Sequence, residues 1–274
     1  MRRVLVFLKD SKNALETFKL IEPILKNYGV QYKKFINRRN FVKKLRPVNY
    51  ELFLVIGGDG TFLSGARIAS RYGIPLIGIN EGRFGFLTEI KKEEASEILP
   101  MVLEGKVKIQ ERLMIDVFLK RGNKIKYLGN YLNDAVVSKS SIARVIRTEV
   151  FVNGERIVEV FGDGVILSTP TGSTAYALSA GGPILYPESK NLLFVPICPH
   201  TLSNRPLVLP SEFTITFRIA SGNTEGYLTL DGQEGTHLKK EDEVIVKTSK
   251  YVCKTFAHPY KTFFGILREK LRWG

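Results

Sequence analysis

The stretch ELFLVIGGDGTFL, residues 51–63, decides the fold predicted for the first part of the chain. Its apolar run Leu52–Ile56 is short and uninterrupted, which is typical of a strand buried on both faces of a parallel sheet. Gly57-Gly58-Asp59-Gly60 follows at once, and from Thr61 apolar residues return at helical spacing until Gly73. We therefore predict a strand, a glycine-rich turn and a helix, which together direct backbone N–H groups and a helix dipole at a bound phosphate.

Asp59 places a carboxylate where an anion is expected to bind, and like charges a few Å apart repel each other. The placement is explained if the carboxylate holds a cation beside the phosphate, or accepts a proton from an attacking hydroxyl. Phosphoryl transfer requires both tasks. An isolated Gly-Asp-Gly is more often a solvated turn, but the buried strand before it and the helix after it favour a phosphate site.

Charge and length limit the classes of function. The chain has 274 residues and a net charge of +14, with many basic residues between positions 33 and 46. Nucleic-acid binding is one interpretation of such a run, but no recognition motif accompanies it. A solvated basic face, or a positive field that steers polyanionic small molecules, explains it as well. We expect no nucleic-acid partner.

Neither a membrane nor a structural metal is expected. No apolar run approaches the roughly 20 residues that span a bilayer, and the start MRRVLVFLKD has too few apolar residues for a signal peptide. Cys198 and Cys253 lie outside any metal-binding spacing. A reducing cytoplasm fits this cysteine content best.

The first 105 residues alternate between strand and helix patterns. Strands are predicted at Arg3–Leu8, Leu52–Ile56 and 74–79, with helices over 11–28, 61–72 and 92–103. This alternation predicts a Rossmann-like α/β domain over 1–105, with ligands at the carboxyl ends of a parallel sheet. The first strand–helix turn has no glycine and no GxxxxGK[ST] occurs, so dinucleotide-fingerprint and Walker A sites are excluded.

From about residue 110 the pattern changes to alternating apolar and polar residues. Strands are predicted over 112–119, 124–131, 145–152, 213–220, 244–247 and 251–255, and Asn153-Gly154 predicts a hairpin. We therefore expect an antiparallel, β-sandwich-like domain over 106–255. The tail 256–274, with a helix over 261–271, is a candidate to pack back on the first domain.

Two stretches of the second half interrupt the strand pattern. Gly162-Asp163-Gly164 leads into STPTGSTAYALSAGGP, residues 168–183, whose hydroxyls and glycines offer many hydrogen-bonding groups with little bulk. This chemistry suits sugar hydroxyls, an adenine edge or phosphate oxygens, and Tyr176 offers a flat face to a ring. Asn133-Asp134, at the end of an apolar strand, is the second candidate stretch.

Together these motifs resemble the NAD kinase family over nearly the whole chain. Residues 57–61 resemble its GGDGT motif, which lipid kinases and phosphofructokinases share, and residues 80–87 resemble its N-x-G-x-x-G-F-L segment. Asn133-Asp134, Gly162-Asp163-Gly164 and residues 168–183 resemble the more diagnostic elements. The resemblance implies transfer of a phosphate from ATP, or from inorganic polyphosphate, to the 2′-hydroxyl of the adenosine ribose of NAD.

The resemblance also implies roles for individual residues. Asp59 is expected to be the general base, on the metal side of the site, with the phosphate-donor turn formed by Gly57, Gly58, Gly60 and Thr61. The residues expected to bind NAD are Asp59, Gly60, Asn133, Asp134, Arg144, Asp163, Thr174, Ala175, Tyr176, Ala177, Leu178, Ser179 and Gln233. Among them, Asn133 and Asp134 are expected to bind the adenine and the ribose hydroxyls, and Asp163 the nicotinamide carboxamide. Phe161 departs from the family pattern, since many members have a basic residue there.

Mg²⁺, or another divalent cation, is the implied cofactor, bound through phosphates and water rather than by a protein cage. The family also implies a homodimer or homotetramer. Three alternatives remain open: a diacylglycerol- or sphingosine-type lipid kinase, a sugar kinase of the phosphofructokinase type, and a protein that binds NAD(P) without turnover. Whether ATP or polyphosphate is preferred, and whether NADH is accepted, stays open at this point.

Overall fold

The computed structural model describes residues 3–38, 45–82, 85–140, 145–220 and 226–273. The chain divides into two compact units. The first combines Met1–Glu111 with Cys253–Gly274, and the second is Arg112–Val252.

Nineteen strands and five α-helices lie in the described residues. The strands are β1 Arg3–Leu8, β2 Gln31–Ile36, β3 Leu52–Ile56, β4 Leu76–Asn80, β5 Ile90–Lys91, β6 Ile109–Arg112, β7 Ile115–Arg121, β8 Lys124–Tyr131, β9 Asp134–Lys139, β10 Ile146–Val152, β11 Glu155–Gly162, β12 Gly164–Ser168, β13 Asn191–Ile197, β14 Leu207–Pro210, β15 Ile215–Ile219, β16 Gly226–Leu230, β17 Glu234–Leu238, β18 Glu243–Thr248 and β19 Cys253–Phe256. The helices are α1 Lys12–Asn27, α2 Asp59–Ala69, α3 Ala95–Leu103, α4 Tyr176–Ser179 and α5 Phe263–Leu271.

The first unit contains a seven-stranded sheet in the order β2-β1-β3-β4-β19-β6, with β5 also paired to β4. The pairs among β2, β1, β3, β4 and β19 are parallel. All five residues of β3 are buried, as expected for a central strand covered on both faces. The core beneath α1 and α3 includes Phe18, Leu54 and Leu99. The predicted Rossmann-like parallel sheet is therefore confirmed.

Two elements of this sheet differ from the prediction. The strand β2 was not predicted, because Lys33 and Lys34 interrupt the apolar pattern; both are exposed on this edge strand, parallel to β1. Residues 251–255 were expected to continue the antiparallel half, but β19 pairs in parallel with β4, with Thr255 opposite Leu76. Alternation shows that a strand has one wet face, and it does not show which sheet the strand joins.

The second unit consists of two six-stranded antiparallel sheets. Their orders are β11-β10-β15-β18-β7-β8 and β14-β13-β12-β9-β16-β17. Buried side chains from both sheets form one core, in which Phe217 of the first sheet and Phe194 of the second have ring centroids 6.2 Å apart. The predicted β-sandwich-like domain is therefore confirmed, and the hairpin at Asn153-Gly154 joins β10 to β11.

Within the described ranges, no helix combines the length and the apolar character that crossing a bilayer requires.

Candidate active site

The glycine-rich turn joins β3 to α2 in the first unit, and Asp59 is the first residue of α2. Gly57 has a φ of +157°, and a Cβ there would lie 2.7 Å from Thr61 Oγ1. Since contacts that short do not occur, only glycine fits, and the turn stays close to the helix. The Gly58 carbonyl accepts from the N–H groups of Thr61 (2.9 Å) and Phe62 (3.1 Å). The turn thus ends at the positive end of the α2 dipole.

Four donors from one loop hold the Asp59 carboxylate. Oδ2 accepts from the Phe86 N–H at 2.9 Å. Oδ1 accepts from the Leu87 N–H at 3.1 Å, the Thr88 N–H at 3.0 Å and the Thr88 hydroxyl at 3.1 Å. Each carboxylate oxygen has two lone pairs, and only one of the four hydrogen bonds reaches Oδ2. Oδ2 therefore keeps a lone pair for a proton or a cation.

The loop that holds Asp59 depends on Gly85 and Asn80. A Cβ on Gly85 would lie 1.9 Å from Asp59 Oδ1, so any side chain there would displace the carboxylate. Asn80 is buried; its Nδ2 donates to Thr88 Oγ1 at 3.0 Å, and its Oδ1 accepts from the Gly82 N–H at 2.6 Å. The asparagine and glycines of this segment therefore shape a loop whose donors face Asp59.

The donor set near Asp59 suits Mg²⁺ better than a metal bound only by protein. Among the described residues, no group of three or more His, Cys, Asp or Glu could hold a metal ion. Magnesium is commonly bound by one or two carboxylates together with substrate phosphates and water. The remaining position on Asp59 Oδ2, beside the glycine-rich turn predicted to bind phosphate, fits that pattern.

In the second unit, Asp231 holds the backbone of Asn133-Asp134. Its Oδ1 accepts from the N–H groups of Asn133 (2.8 Å) and Asp134 (3.3 Å), and its Oδ2 from Leu132 (3.2 Å). Asp231 and Gly232 have φ values of +50° and +64° in a tight turn between β16 and β17. The turn therefore brings the predicted ligand Gln233 to the same end of the sheet as Asn133 and Asp134.

Asp134 is the buried carboxyl group of this cluster, with 4% of its surface exposed. Burial raises its pKa to about 7, and the neighbouring charge of Asp231 adds to the shift. Among the described residues no hydrogen bond to its carboxylate offsets these two effects. A carboxyl group with a strongly shifted pKa and no partner is typical of a ligand-binding position.

The segment after β12 folds onto Asn133. The Asn133 carbonyl accepts from the Thr169 N–H at 2.8 Å and from the Ser168 hydroxyl at 3.2 Å. Two buried polar atoms nearby, Asn133 Oδ1 and Thr171 Oγ1, have no hydrogen-bond partner in the described part of the chain. Because buried polar groups in native proteins are normally paired, both are candidates to bind a ligand.

Residues 174–179 present a mixed surface. They comprise the end of a 3₁₀ turn over 171–174 and the short helix α4. Tyr176 is 47% exposed, Ser179 is exposed, and Thr174, Ala175 and Leu178 are partly buried. Ala177 differs, because its side chain is buried in a cluster with residues such as Ile166. Its backbone is therefore the part that can contact a ligand.

Asp163 lies at the other end of β12 from Asp134. Gly164 pairs with Ser138, and Ser168 pairs with Asp134, so four residues of strand, about 13 Å, separate the two ends. Asp163 Oδ1 lies 2.6 Å from Lys139 Nζ. The structure therefore brings Asn133, Asp134 and Gln233 together and places Asp163 apart from them.

Two further predictions concern Phe161 and Arg144. The guanidinium carbon of Arg147 lies 5.1 Å from the centroid of the Phe161 ring. The His200 ring makes a T-shaped contact with Phe161, with the two ring centroids 4.9 Å apart. A positive group is thus present beside Phe161 even though residue 161 is not basic. Arg144 lies outside the described residues.

Several residues that organise the site had no predicted role. Thr88 and Asp231 hold the predicted ligands, and Lys139 pairs with Asp163. The Asp-Gly dipeptide at 231–232 is a turn signal, and Asn80 belongs to a recognised segment. Neither the Asp-Gly dipeptide nor the segment that contains Asn80 indicates which distant part of the chain its side chain will bind.

Comparisons with known proteins match both units of the chain to NAD kinases. The family model of the ATP-NAD kinase N-terminal domain matches residues 2–107, and that of the ATP-NAD kinase C-terminal domain matches residues 132–257. Among solved structures, yeast NADH kinase complexed with NADH matches with a TM-score of 0.88 at 23% identity, over 100% of this chain and 88% of that chain. An NAD kinase from Archaeoglobus fulgidus in complex with ATP matches with a TM-score of 0.78 at 25% identity, over 98% of each chain.

Curated relatives are more similar in sequence. The NAD kinase of Aquifex aeolicus (strain VF5) is 74% identical over 274 residues, which is 100% of both chains. The NAD kinase of Trichlorobacter lovleyi is 45% identical over 225 residues, 82% of this chain and 79% of the relative. Because family models match both units and a relative of the same length is 74% identical, this chain belongs to the NAD kinase family and is a kinase that phosphorylates NAD.

Proposed function

We propose that the protein moves the terminal phosphate of ATP to the 2′-hydroxyl of the adenosine ribose of NAD, with Asp59 as the general base. The observation that carries this role is the Asp59 carboxylate, which four loop donors orient while Oδ2 keeps a free lone pair. A hydroxyl is a poor nucleophile, and its proton must leave as the bond to phosphorus forms. General-base catalysis typically contributes about 10²–10⁴-fold to the rate.

The phosphate donor is proposed to bind at the turn formed by Gly57, Gly58, Gly60 and Thr61. The positive end of α2 lies there, and anionic groups are stabilised at such a position. A divalent cation, most simply Mg²⁺, would be held mostly by the donor's phosphates and water and would neutralise phosphate charge, since the remaining position on Asp59 Oδ2 is needed for the proton. Positioning and charge stabilisation are expected to supply most of the remaining catalysis.

NAD is proposed to bind along β12 in the second unit, from one end of the strand to the other. Asn133, Asp134 and Gln233 would bind the adenine and ribose hydroxyls, with residues 174–179 beside them and Tyr176 stacking on a ring. Asp163, about 13 Å along β12, would bind the nicotinamide carboxamide. This separation supports the assignment, because a dinucleotide is an extended ligand whose two bases need separate partners.

ATP is proposed as the donor, with polyphosphate as a second candidate. The Archaeoglobus fulgidus relative is complexed with ATP, which supports ATP as the donor. The yeast relative is complexed with NADH, which makes NADH an acceptor to test beside NAD.

A homodimer or homotetramer in the cytoplasm is proposed as the working form. The edge strand β14 exposes Leu207 (40%) and Val208 (48%), and an apolar edge strand favours pairing with a second copy. Cys198 and Cys253 are both free thiols, as suits a reducing compartment. Sedimentation velocity on the full chain measures the oligomeric state directly.

The test of the reaction supplies ATP, Mg²⁺ and NAD together and follows NADP formation. Diacylglycerol and fructose 6-phosphate serve as rival acceptors, so the same assay separates the lipid-kinase and sugar-kinase alternatives. We expect Asp59→Asn to keep NAD binding, measured by titration, while kcat falls at least about 10²-fold. Near-normal turnover in this variant would remove Asp59 from the mechanism.

A further inference from the structure

An ion pair crosses the phosphate turn of the first unit. Lys9 follows β1, Glu81 follows β4, and their side chains are in contact. Because β3 lies between β1 and β4, this pair spans the carboxyl end of β3, where the turn begins at Gly57. The Lys9 N–H donates to the Ile56 carbonyl at 2.9 Å, and Lys9 Cβ lies 3.0 Å from the position of a Cβ on Gly57. The base of the lysine side chain therefore touches the turn itself.

The two partners are held unequally. Glu81 has a side chain that is 10% exposed, and it also accepts a hydrogen bond from the Ser11 hydroxyl. Ser11 is itself fixed as the N-cap of α1, where its oxygen accepts from the Ala14 N–H at 3.2 Å. The Lys9 side chain is 52% exposed. Lys9 can therefore leave the pair while Glu81 keeps its bond to Ser11.

A mobile ammonium at this position has a clear electrostatic use. The end of a helix supplies only about half a unit charge, and Asp59 already places a negative group at the same turn. The terminal phosphates of a donor add further negative charge. A lysine acting as a point charge is a common partner of such phosphates, and its flexible stem lets it follow them.

We propose that Lys9 is a ligand of the donor phosphates, and that Glu81 holds it beside the turn until the donor binds. This inference rests on the proposed function, in which the donor occupies the Gly57–Thr61 turn. Donor binding then requires Lys9 to exchange the Glu81 carboxylate for a phosphate oxygen. Glu81 should accordingly weaken donor binding, while Lys9 should strengthen it.

The test compares wild type with Lys9→Met and Glu81→Gln. Lys9→Met should raise the KM for ATP by roughly tenfold or more, because a charge-assisted hydrogen bond to phosphate is lost, and should leave the KM for NAD unchanged. Glu81→Gln should lower the KM for ATP, because Lys9 is released. The matched control is Lys12→Met, since the Lys12 side chain is 89% exposed and contacts only Glu16 at 3.8 Å in the described structure; its KM for ATP should equal that of wild type.

The two variants are expected to change the KM for ATP in opposite directions, which distinguishes a phosphate-binding role of Lys9 from a structural one. If the ion pair only stabilises the fold, both variants should lower the melting temperature and change the KM for ATP in the same direction. An unchanged KM for ATP in Lys9→Met, or a raised one in Glu81→Gln, would overturn the proposal.

The same series is titrated with ATP and Mg²⁺ in the absence of NAD, so the Lys9 role is decided even if wild type forms no NADP. That latter result would count against the proposed function alone. If Lys9→Met fails to fold, Lys9→Arg and Glu81→Gln decide the question. Lys9→Arg keeps the charge and should retain most of the affinity for ATP.

Discussion

The pKa of Asp134 leads to a prediction about the pH dependence of NAD binding. Burial and the charge of Asp231 raise this pKa to about 7. If the ribose hydroxyls of NAD donate to the Asp134 carboxylate, NAD binds the ionised form, and a proton competes with it. The apparent Kd then rises by a factor of about 1.1 at pH 8, about 2 at pH 7 and about 11 at pH 6.

The assay is calorimetric titration of the wild-type protein with NAD at these three pH values. We expect an approximately tenfold weakening from pH 8 to pH 6. Asp134→Asn removes the titrating group, so its Kd should be weaker at pH 8 and nearly independent of pH. A wild-type Kd that is constant between pH 6 and pH 8, or that tightens as the pH falls, would refute the reasoning. The same slope in Asp134→Asn would assign the proton to another group.

The same shift in the pKa of Asp134 predicts how the stability of the fold depends on pH. The folded-state pKa of Asp134 lies above the ordinary value of 3.8, so between about pH 4 and pH 7 the folded protein holds a proton that the unfolded chain has lost. The free energy of unfolding therefore decreases as the pH rises through this window, by at most about 4 kcal/mol. Asp134→Asn should accordingly raise the melting temperature relative to wild type more at pH 8 than at pH 5. That combination, weaker binding with greater stability, is expected of a carboxylate kept for its ligand.

Two further substitutions test the neighbouring parts of the site. Gly85→Ala should lower kcat at least about tenfold and destabilise the fold by about 1–3 kcal/mol, because its Cβ would lie 1.9 Å from Asp59 Oδ1. The control is Gly82→Ala, whose Cβ would meet nothing within 4 Å. Steady-state kinetics and thermal melts are measured on both variants. Equal effects of the two would remove the steric argument. Tyr176→Ala should weaken NAD binding by titration more than ATP binding, while Tyr176→Phe, which keeps the flat ring, should bind NAD as wild type does. An unchanged Kd for NAD in the alanine variant would show that the ring only packs.

The parts of the molecule that were predictable from sequence depend on local patterns. The strand at 52–56 was predicted with its observed bounds, because a short apolar run between a charged residue and a glycine is typical of a buried strand. The helix after the turn begins at Asp59, two residues earlier than expected. The hairpin at Asn153-Gly154 is likewise encoded by adjacent residues.

The remaining features depend on which distant segments meet. Asp231 binds the N–H of Asp134 across 97 residues of chain, and Thr88 binds Asp59 across 29. Such contacts follow from sheet order and register, which hydrophobic periodicity leaves undetermined. The same limit explains why β19 was assigned to the wrong sheet. The roles of the predicted ligands came from resemblance to a family, and the residues that orient them became visible only in the structure.

Three aspartates of this protein show how surroundings, rather than residue type, decide what a carboxylate can do. Asp231 accepts three backbone N–H groups, so its charge is used in holding the 132–134 segment, and it has a positioning role. Asp59 accepts four hydrogen bonds but keeps one position on Oδ2, which leaves it oriented and still able to take a proton or a cation. Asp134 is buried without such donors and lies beside the Asp231 charge, so its ionisation is costly until a ligand supplies hydroxyl groups. The carboxylate with the fewest protein donors is therefore the one whose charge should depend most on whether the ligand is bound.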